Sequence, residues 1–167
     1  MIIGITGKSG SGKSTLAKLY EKLGYERMSI DEIGWEVIDE NKGIFEKIYG
    51  TSDRKKIGEQ LFRDRNKYKA WTNSVWASME KKIDERIKDK KDVVFDFLLL
   101  PHTKYFSMCD CKILVKSNFF KRMFRVLKRD KISLRYFLLR EKNSIDFDEK
   151  DFDCVIENLE IREVNNG

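Results

Sequence analysis

The feature that most constrains this chain is a glycine-rich segment near its beginning. An apolar stretch at residues 1–6 is followed by Gly7-Lys8-Ser9-Gly10-Ser11-Gly12-Lys13-Ser14, and then by residues that favour a helix. The glycine-rich segment matches G-x-x-x-x-G-K-[ST] at every fixed position, and it lies between a predicted strand and a predicted helix, as the motif requires. The sequence therefore predicts a loop that binds the phosphates of a nucleoside triphosphate.

The residue types in this loop suit phosphate binding. The glycines allow the backbone to curl so that successive N–H groups point inward, and the following helix adds the positive end of its dipole. We expect the Lys13 ammonium to reach the β- and γ-phosphates of ATP, and the Ser14 hydroxyl to bind Mg²⁺. The predicted nucleotide-binding residues are Gly7, Ser9, Gly10, Ser11, Gly12, Lys13, Ser14 and Thr15.

The size and charge of the chain fit one small enzyme domain. Its 167 residues, of which 41% are hydrophobic and 37% charged, suit a single domain over residues 1–167. The net charge of +6 is scattered among acidic residues rather than concentrated in a basic run. We therefore attribute the basic excess to a small phosphorylated substrate, and we do not expect nucleic acid as a partner.

The cysteine content and the hydropathy indicate a cytoplasmic protein. Three cysteines, an odd number, argue against a disulfide framework, and the spacing of Cys109 and Cys111 is not that of a structural zinc site. The longest apolar run, at residues 93–100, is interrupted by Asp96 and is too short to cross a bilayer. No secretory signal precedes the loop. We expect a monomer or a weak homo-oligomer without a membrane partner.

Strands and helices alternate along the chain. Apolar stretches predict strands at residues 1–6, 25–30, 93–98, 112–116 and 154–157. Helical spacing and capping signals predict helices at residues 13–22, from 31 onward, 53–62, 68–87, 118–130 and 134–142. This alternation predicts an α/β fold, a three-layer P-loop NTPase sandwich with a parallel sheet of about five strands.

Two aspartates lie where a phosphate-binding loop needs acids. Asp96 ends an apolar strand, the position of a Mg²⁺-linked acid in such proteins, and a structural hydrogen bond to the loop is the alternative. Asp31 follows the second strand, so its side chain should emerge at the carboxyl edge of the sheet, near the loop. Asp31 is either the group that accepts the proton of an attacking hydroxyl or a plain helix N-cap.

Arginines are concentrated in a segment that we call the lid, residues 122–142. Arg122, Arg125 and Arg129 have the spacing that places them on one face of a helix, and Arg140 follows nearby. P-loop kinases use a mobile, arginine-bearing lid to stabilise the transferred phosphoryl group and to exclude water. The alternative is an exposed basic face on a helix whose other side packs into the core.

The order of these segments resembles that of dephospho-coenzyme A kinases, which phosphorylate the ribose 3′-hydroxyl of dephospho-CoA. The similarity covers most of the chain. It includes the loop, the stretch Ser29-Ile30-Asp31-Glu32-Ile33 at the family's Asp-x-Asp position, the strand that carries Asp96, and the R-x-x-x-R-[DN] pattern of the lid.

The resemblance implies an ATP- and Mg²⁺-dependent kinase with a small-molecule substrate. It implies that Asp31 is the general base, and that Arg125 and Arg129, together with Arg140, lie at the γ-phosphate. It also places Asn158 near the adenine of ATP, because the stretch from Asp153 to Asn158 is similar to the family's D-x-V-I-[DE]-N strand. The acceptor-binding helices are then at about residues 31–90.

Several family positions hold other residues here. Ser29 stands at the first acid, Trp35 at a basic residue, Ala77-Ser78 at a His-Pro pair, Leu98 at a proline and Arg122 at the lid glutamine. Most of these positions lie on the acceptor side. The predicted acceptor is dephospho-CoA, and the alternative is a (deoxy)nucleoside monophosphate or another nucleotide or nucleoside. A non-enzymatic ATP-binding switch is a third hypothesis.

Overall fold

A parallel sheet with its first strand at the centre organises the molecule. The computed structural model describes residues 1–51, 53, 56–57 and 65–158, with their side chains except at 44–45, 48–49 and 65–74. Within these residues the sheet has the order β2-β3-β1-β4-β5. The strands are β1 (Ile2–Thr6), β2 (Glu26–Ser29), β3 (Val93–Asp96), β4 (Cys111–Lys116) and β5 (Cys154–Glu157). The predicted α/β fold with five parallel strands is confirmed.

Helices connect the strands. They are α1 (Lys13–Lys22), α2 (Ile30–Glu40), α3 (Lys42–Tyr49), α4 (Arg65–Ile87), α5 (Lys104–Ser107), α6 (Phe119–Asp130) and α7 (Leu134–Lys142). The predicted bounds of α1, α6 and α7 agree with these to within one residue. The short α5 and two 3₁₀ turns were not predicted, because elements of three or four residues are too short to display a period. The helix predicted at 53–62 lies largely outside the described residues.

Apolar side chains cover both faces of the sheet. On one face the core includes Met28 and Phe95 of the strands, Ile33 and Val37 of α2, and Val75, Met79 and Ile83 of α4. On the other face it includes Ile3, Ile5, Val94, Ile113 and Val115 of the strands with Leu16 and Ala17 of α1. Continuously apolar strands are expected where helices cover a parallel sheet on both sides, and the predicted three layers are confirmed.

The two lid helices begin with polar caps. The Asn118 side chain accepts a hydrogen bond of 2.9 Å from the N–H of Phe120, and the Ser133 hydroxyl accepts one of 3.2 Å from the N–H of Tyr136. These bonds satisfy N–H groups that have no acceptor within the helix. At the end of α6, Lys131 has a left-handed φ of 50°, which stops the helix and turns the chain toward α7.

The longest described helix is α4, which spans 23 residues. It carries charged residues near both ends, including Arg65 and Arg86. None of the helices in the described part of the chain is long and apolar enough to cross a membrane.

Candidate active site

The glycine-rich loop between β1 and α1 passes very close to two other elements. Gly7 has a φ of 152°, and a Cβ atom there would lie 2.2 Å from the carbonyl oxygen of Val115 in β4. Gly10 has a φ of 78°, and a Cβ atom there would lie 2.8 Å from the carbonyl oxygen of Arg122 in α6. A side chain at either position would push the loop away from the sheet or from the lid.

Two polar side chains of the loop have no partner among the described residues. Lys13, the first residue of α1, is half-buried, and its ammonium makes no hydrogen bond or ion pair with any of them. The Ser11 hydroxyl is buried and has no hydrogen-bond partner. A buried hydroxyl and an unpaired ammonium beside a helix N-terminus are donors that suit phosphate oxygens. This geometry is consistent with the nucleotide-binding role predicted for Ser11 and Lys13.

The acid predicted at the end of β3 lies directly beside this loop. The Ser14 hydroxyl donates a 3.1 Å hydrogen bond to Asp96 Oδ1. Asp96 is 3% exposed, and the strand register places it between Ile5 of β1 and Ser29 of β2. A hydroxyl and a carboxylate are the hard oxygen ligands that Mg²⁺ prefers, directly or through water. The donor set therefore fits the predicted Mg²⁺ site at Ser14 and Asp96.

An arginine that the sequence analysis did not single out compensates the buried Asp96 carboxylate. Arg27 of β2 donates to Asp96 Oδ2 from Nε, at 3.3 Å, and from Nη2, at 3.0 Å. The same guanidinium donates to both oxygens of Glu32 in α2. Burial alone would lower the pKa of Arg27, but the hydrogen bonds to Asp96 and Glu32 raise it above its ordinary value. The guanidinium therefore keeps its charge although the Arg27 side chain is almost buried.

The first arginine of the lid faces inward. Arg122 is 6% exposed, so an exposed basic face, the alternative for the lid arginines, is wrong for this residue. Its guanidinium donates to both carboxylate oxygens of Glu141 in α7, at 2.8 and 2.6 Å. It also donates to the carbonyl oxygens of Ser117 and of Ser9, at 3.2 and 3.3 Å. Arg122 therefore connects both lid helices to the loop.

Two further arginines of the lid also reach the loop. Arg125 donates a 3.2 Å hydrogen bond to the carbonyl oxygen of Gly10, and Arg140 donates one of 3.3 Å to the Ser9 hydroxyl. Arg140 also donates to Asp130, which accepts a second set of hydrogen bonds from Arg129. Burial would raise the pKa of Asp130, but these arginines hold it below its ordinary value. The structure thus brings Arg125 and Arg140 together at the loop.

A second lysine of the loop points toward the lid. Lys8 donates a 2.7 Å hydrogen bond to Asp146, and its ammonium lies 3.8 Å from Glu141. The Arg122 hydrogen bond is the main reason that the pKa of Glu141 lies below its ordinary value, and the charge of Lys8 adds to the effect. Lys8 and Lys13 therefore differ in their surroundings, although both belong to the same loop.

The predicted general base lies across from the lid. Asp31 is an exposed residue in the first turn of α2, and the N-cap of that helix is Ser29, so the N-cap alternative for Asp31 is wrong. The hydrogen bond with Asp130 raises the pKa of Arg129, and the charge of Asp31 adds to that increase. Asp31 is therefore close enough to the end of α6 to act on it electrostatically.

The residue predicted near the adenine lies at the end of β5, beside the start of α6. Asn158 has a left-handed φ of 51°, and its Oδ1 accepts hydrogen bonds from the N–H of Asn118 and from the Ser117 hydroxyl, at 3.2 and 3.3 Å. The Ser117 hydroxyl in turn accepts a hydrogen bond from Arg125. Asn158 is thus linked through Ser117 to the arginine that contacts the loop.

Similarity to known proteins extends over almost the whole chain. The family model described as dephospho-CoA kinase (CoaE) matches residues 1–163. The chain belongs to the dephospho-CoA kinase family. A dephospho-CoA kinase from Fusobacterium nucleatum is 30% identical to it over 174 aligned positions, which cover 95% of this chain and 89% of the relative.

Solved structures agree with this family assignment. The dephospho-CoA kinase from Campylobacter jejuni is 25% identical, with a TM-score of 0.63 over 96% of this chain and 89% of that one. The protein TT1252 from Thermus thermophilus is 26% identical, with a TM-score of 0.79 over the same shares of the two chains. The predicted family, the P-loop kinase fold and the phosphotransferase class are therefore confirmed.

Three charged residues at this site were not predicted from the sequence to take part in it. They are Arg27, Lys8 and Glu141. Only Arg27 could have been found from the sequence. It lies two positions before Ser29 in a short strand, and alternate residues of a strand face the same side of the sheet. Lys8 fills a variable position of the motif, and Glu141 lies in a charged helix, so neither is distinguished by its sequence context.

Proposed function

We propose that this member of the dephospho-CoA kinase family transfers the γ-phosphoryl group of ATP to the 3′-hydroxyl of dephospho-CoA. The observation that supports transfer from ATP is the loop itself, and the family match over residues 1–163 supports dephospho-CoA as the acceptor. The motif of the loop is complete, its Lys13 ammonium and Ser11 hydroxyl have no partner among the described residues, and its Ser14 hydroxyl bonds to Asp96. In P-loop enzymes, the loop and its lysine bind the phosphates, and the loop serine and an acid hold Mg²⁺.

The chain's own groups hold the polyphosphate of ATP. The loop N–H groups and the start of α1 donate to the phosphates, and Lys13 neutralises charge at the β- and γ-positions. Ser14 and Asp96 would hold Mg²⁺, Asp96 through a bound water. Mg²⁺ supplies charge neutralisation on the β- and γ-phosphate oxygens when it is bound. Asn158 lies at the end of β5, where it contacts the adenine side of the nucleotide.

Asp31 prepares the acceptor for transfer. Its carboxylate accepts the proton of the acceptor hydroxyl while that oxygen forms a bond to the γ-phosphorus. The bond between the γ-phosphorus and the bridging oxygen breaks, and ADP leaves. The exposed position of Asp31 and its electrostatic effect on Arg129 support a place for Asp31 near the end of α6.

The lid supplies positive charge to the transferred group. Arg125, Arg129 and Arg140 stabilise the charge that spreads over the phosphoryl oxygens in the transition state. The hydrogen bonds from Arg125 and Arg140 to the loop support this role, because they hold two guanidinium groups at the place where the phosphates bind. Catalysis in this scheme consists mainly of positioning and electrostatic stabilisation.

The remaining parts of the proposal concern organisation. Residues 1–167 form one kinase domain, with acceptor-binding helices at about 31–90 and the lid at 122–142. The enzyme acts in the cytoplasm as a monomer or a weak homo-oligomer, on a small-molecule substrate. It has no nucleic-acid or membrane partner.

The test is a coupled assay of ADP release with Mg-ATP and a panel of acceptors. The panel contains dephospho-CoA, nucleoside monophosphates and nucleosides. ADP formation that depends on dephospho-CoA, with 3′-phosphorylated product detected by mass spectrometry, is the expected result. Transfer only to a nucleotide or nucleoside would replace the proposed acceptor. ATP binding without transfer to any acceptor would favour the switch hypothesis.

A further inference from the structure

The two oxygens of Asp96 have different partners. Oδ1 accepts the hydrogen bond from the Ser14 hydroxyl at 3.1 Å. Oδ2 accepts two hydrogen bonds from the Arg27 guanidinium, at 3.3 and 3.0 Å. The Asp96 side chain is 1% exposed and that of Arg27 is 7% exposed, so solvent screens this ion pair very little. The orientation of the carboxylate is therefore determined from one side by Arg27 and from the other by Ser14.

Arg27 itself is fixed by a second acid. Glu32 of α2 accepts from Nη1 and Nη2 of the same guanidinium, at about 3 Å for its Oε1. The planar guanidinium carries five N–H donors in a rigid arrangement, so it can serve two carboxylates without turning. A lysine would place a single charge there and could not keep both sets of hydrogen bonds.

The orientation of Asp96 decides how the Ser14 hydroxyl is used. A hydroxyl has one hydrogen to donate and two lone pairs to offer. When the hydrogen points to Asp96 Oδ1, the lone pairs face away from the acid and are available to a cation. If the carboxylate turned, the hydroxyl hydrogen would lose its acceptor. The Ser14 hydroxyl could then rotate, and its lone pairs would no longer face the cation.

We propose that Arg27 is a positioning residue for nucleotide-bound Mg²⁺, and that it acts by holding Asp96 in the orientation that directs the Ser14 hydroxyl toward the metal. This inference rests on the proposed function only in taking Ser14 and Asp96 as the metal-binding residues. Groups that orient metal ligands typically change metal affinity by about 10- to 100-fold when they are removed. The effect of Arg27 should therefore appear in the metal dependence of nucleotide binding.

The measurement is the affinity for ADP by titration calorimetry, with Mg²⁺ and with excess EDTA. The ratio of the two affinities is the metal gain. In the Arg27→Gln variant we expect the metal gain to fall by about tenfold, while the affinity without metal stays within about twofold of wild type. Arg27→Lys should restore part of the gain, because it returns the charge without the paired donors.

Four comparison variants make the readout specific. Arg86→Gln removes an arginine that pairs with Glu36 on the surface, and it should leave the metal gain unchanged. Glu32→Gln should lower the gain less than Arg27→Gln does, because Arg27 retains its contact with Asp96. Adding Arg27→Gln to Asp96→Asn should lower the gain no further than Asp96→Asn alone, because the effect passes through Asp96.

The double variant, with both Arg27→Gln and Asp96→Asn, keeps the inference testable if Arg27→Gln alone does not fold. Arg27→Gln leaves the Asp96 carboxylate buried without a cation, so thermal unfolding is recorded for each variant. If Arg27→Gln does not fold, Arg27→Lys and the pair of variants in the Asp96→Asn background decide the question.

Three results would overturn the inference. They are an unchanged metal gain in folded Arg27→Gln, an additive loss in the double variant, and a wild-type ADP affinity that does not respond to Mg²⁺. The proposed function fails separately, when wild-type protein binds Mg-ADP with a metal gain but transfers phosphate to no acceptor.

Discussion

Both carboxylate oxygens of Glu141 accept hydrogen bonds from the Arg122 guanidinium, across the interface between α6 and α7. Arg122 also donates to the carbonyl oxygen of Ser9, so the pair joins the lid to the phosphate-binding loop. Because the side chains of Arg122 and Glu141 are only 7% and 20% exposed, water competes weakly for these bonds. The lid is therefore attached to the loop by the protein's own charges.

The first prediction concerns the stability that Glu141 provides. Glu141→Gln keeps the size of the side chain but removes the charge that faces buried Arg122. We expect the free energy of unfolding at neutral pH to fall by about 2 kcal/mol. Urea denaturation measures this change. Glu36→Gln, which alters a partly exposed ion pair with Arg86, is the matched control and should cost less than about 1 kcal/mol. Equal losses in the two variants would contradict the prediction.

The second prediction concerns the pH dependence of that contribution. In the folded protein the pKa of Glu141 lies below its ordinary value of 4.5, mainly because of the Arg122 hydrogen bond. An acid with a lowered pKa stabilises the fold fully above its ordinary value, and this stabilisation is lost as the pH falls through the folded value. The difference in unfolding free energy between wild type and Glu141→Gln should therefore be constant above about pH 5.5 and shrink below 4.5. A difference that grows in acid would refute this assignment.

Local patterns explain why much of the fold could be predicted. The motif, its apolar strand and its helix lie within about 20 consecutive residues, so the loop needs no tertiary information. Asp96 was found because it interrupts an apolar run. Arg27 and Glu141 depend on partners 69 and 19 residues away, and the strand order and the packing of α6 on α7 bring those partners together. The strand alternation places Arg27 on the same side as Ser29, but neither pairing can be derived from a single sequence.

The same limit applies to the lid. The spacing of Arg122, Arg125 and Arg129 correctly predicts one helix, but it does not distinguish a buried arginine from an exposed one. Arg122 is buried because Glu141 lies opposite it, while the side chain of Arg129 is 60% exposed. The difference arises from which part of α6 packs against α7 and the loop.

The third prediction compares the two lysines of the loop. Lys13→Ala should lower turnover by about 100-fold or more, since it removes a charge that stabilises the transferred phosphoryl group. Lys8→Ala removes the same charge from the same loop, but Lys8 faces Asp146, whose side chain is 93% exposed. We expect Lys8→Ala to change turnover by less than about threefold. Steady-state kinetics with circular dichroism of both variants tests this contrast, and turnover retained in folded Lys13→Ala would exclude the assigned role of Lys13.

The fourth prediction separates nucleotide binding from transfer. Asp31→Asn keeps the shape of the side chain but removes its ability to accept a proton at neutral pH. Turnover should fall by about 100-fold, while the affinity for ATP stays within about twofold. Glu40→Gln, at the other end of α2, is the control and should leave both quantities unchanged. If Asp31→Asn loses ATP affinity and turnover together, Asp31 has a structural role instead.

The fifth prediction concerns the thiols. Burial raises the pKa of Cys109 to about 12, and its thiol donates a 3.2 Å hydrogen bond to the carbonyl oxygen of Tyr105. Cys154 is exposed. Iodoacetamide at about pH 8 should therefore label Cys154 rapidly and leave Cys109 unmodified in the folded protein, because the thiolate is the reactive form. Peptide mapping by mass spectrometry measures both sites, and in urea they should react alike. Labelling of Cys109 at the rate of Cys154 without urea would be inconsistent with this environment.

The near-contact between Gly10 and the backbone of α6 has a consequence for protein engineering. Only a glycine leaves room for the Arg122 carbonyl at this distance, so the surface of α6 and the path of the loop have to match each other. A chimaera that takes residues 119–142 from another kinase would contain a helix whose surface does not match this loop. Exchange of the two segments together, as one cassette, is the design that preserves their fit.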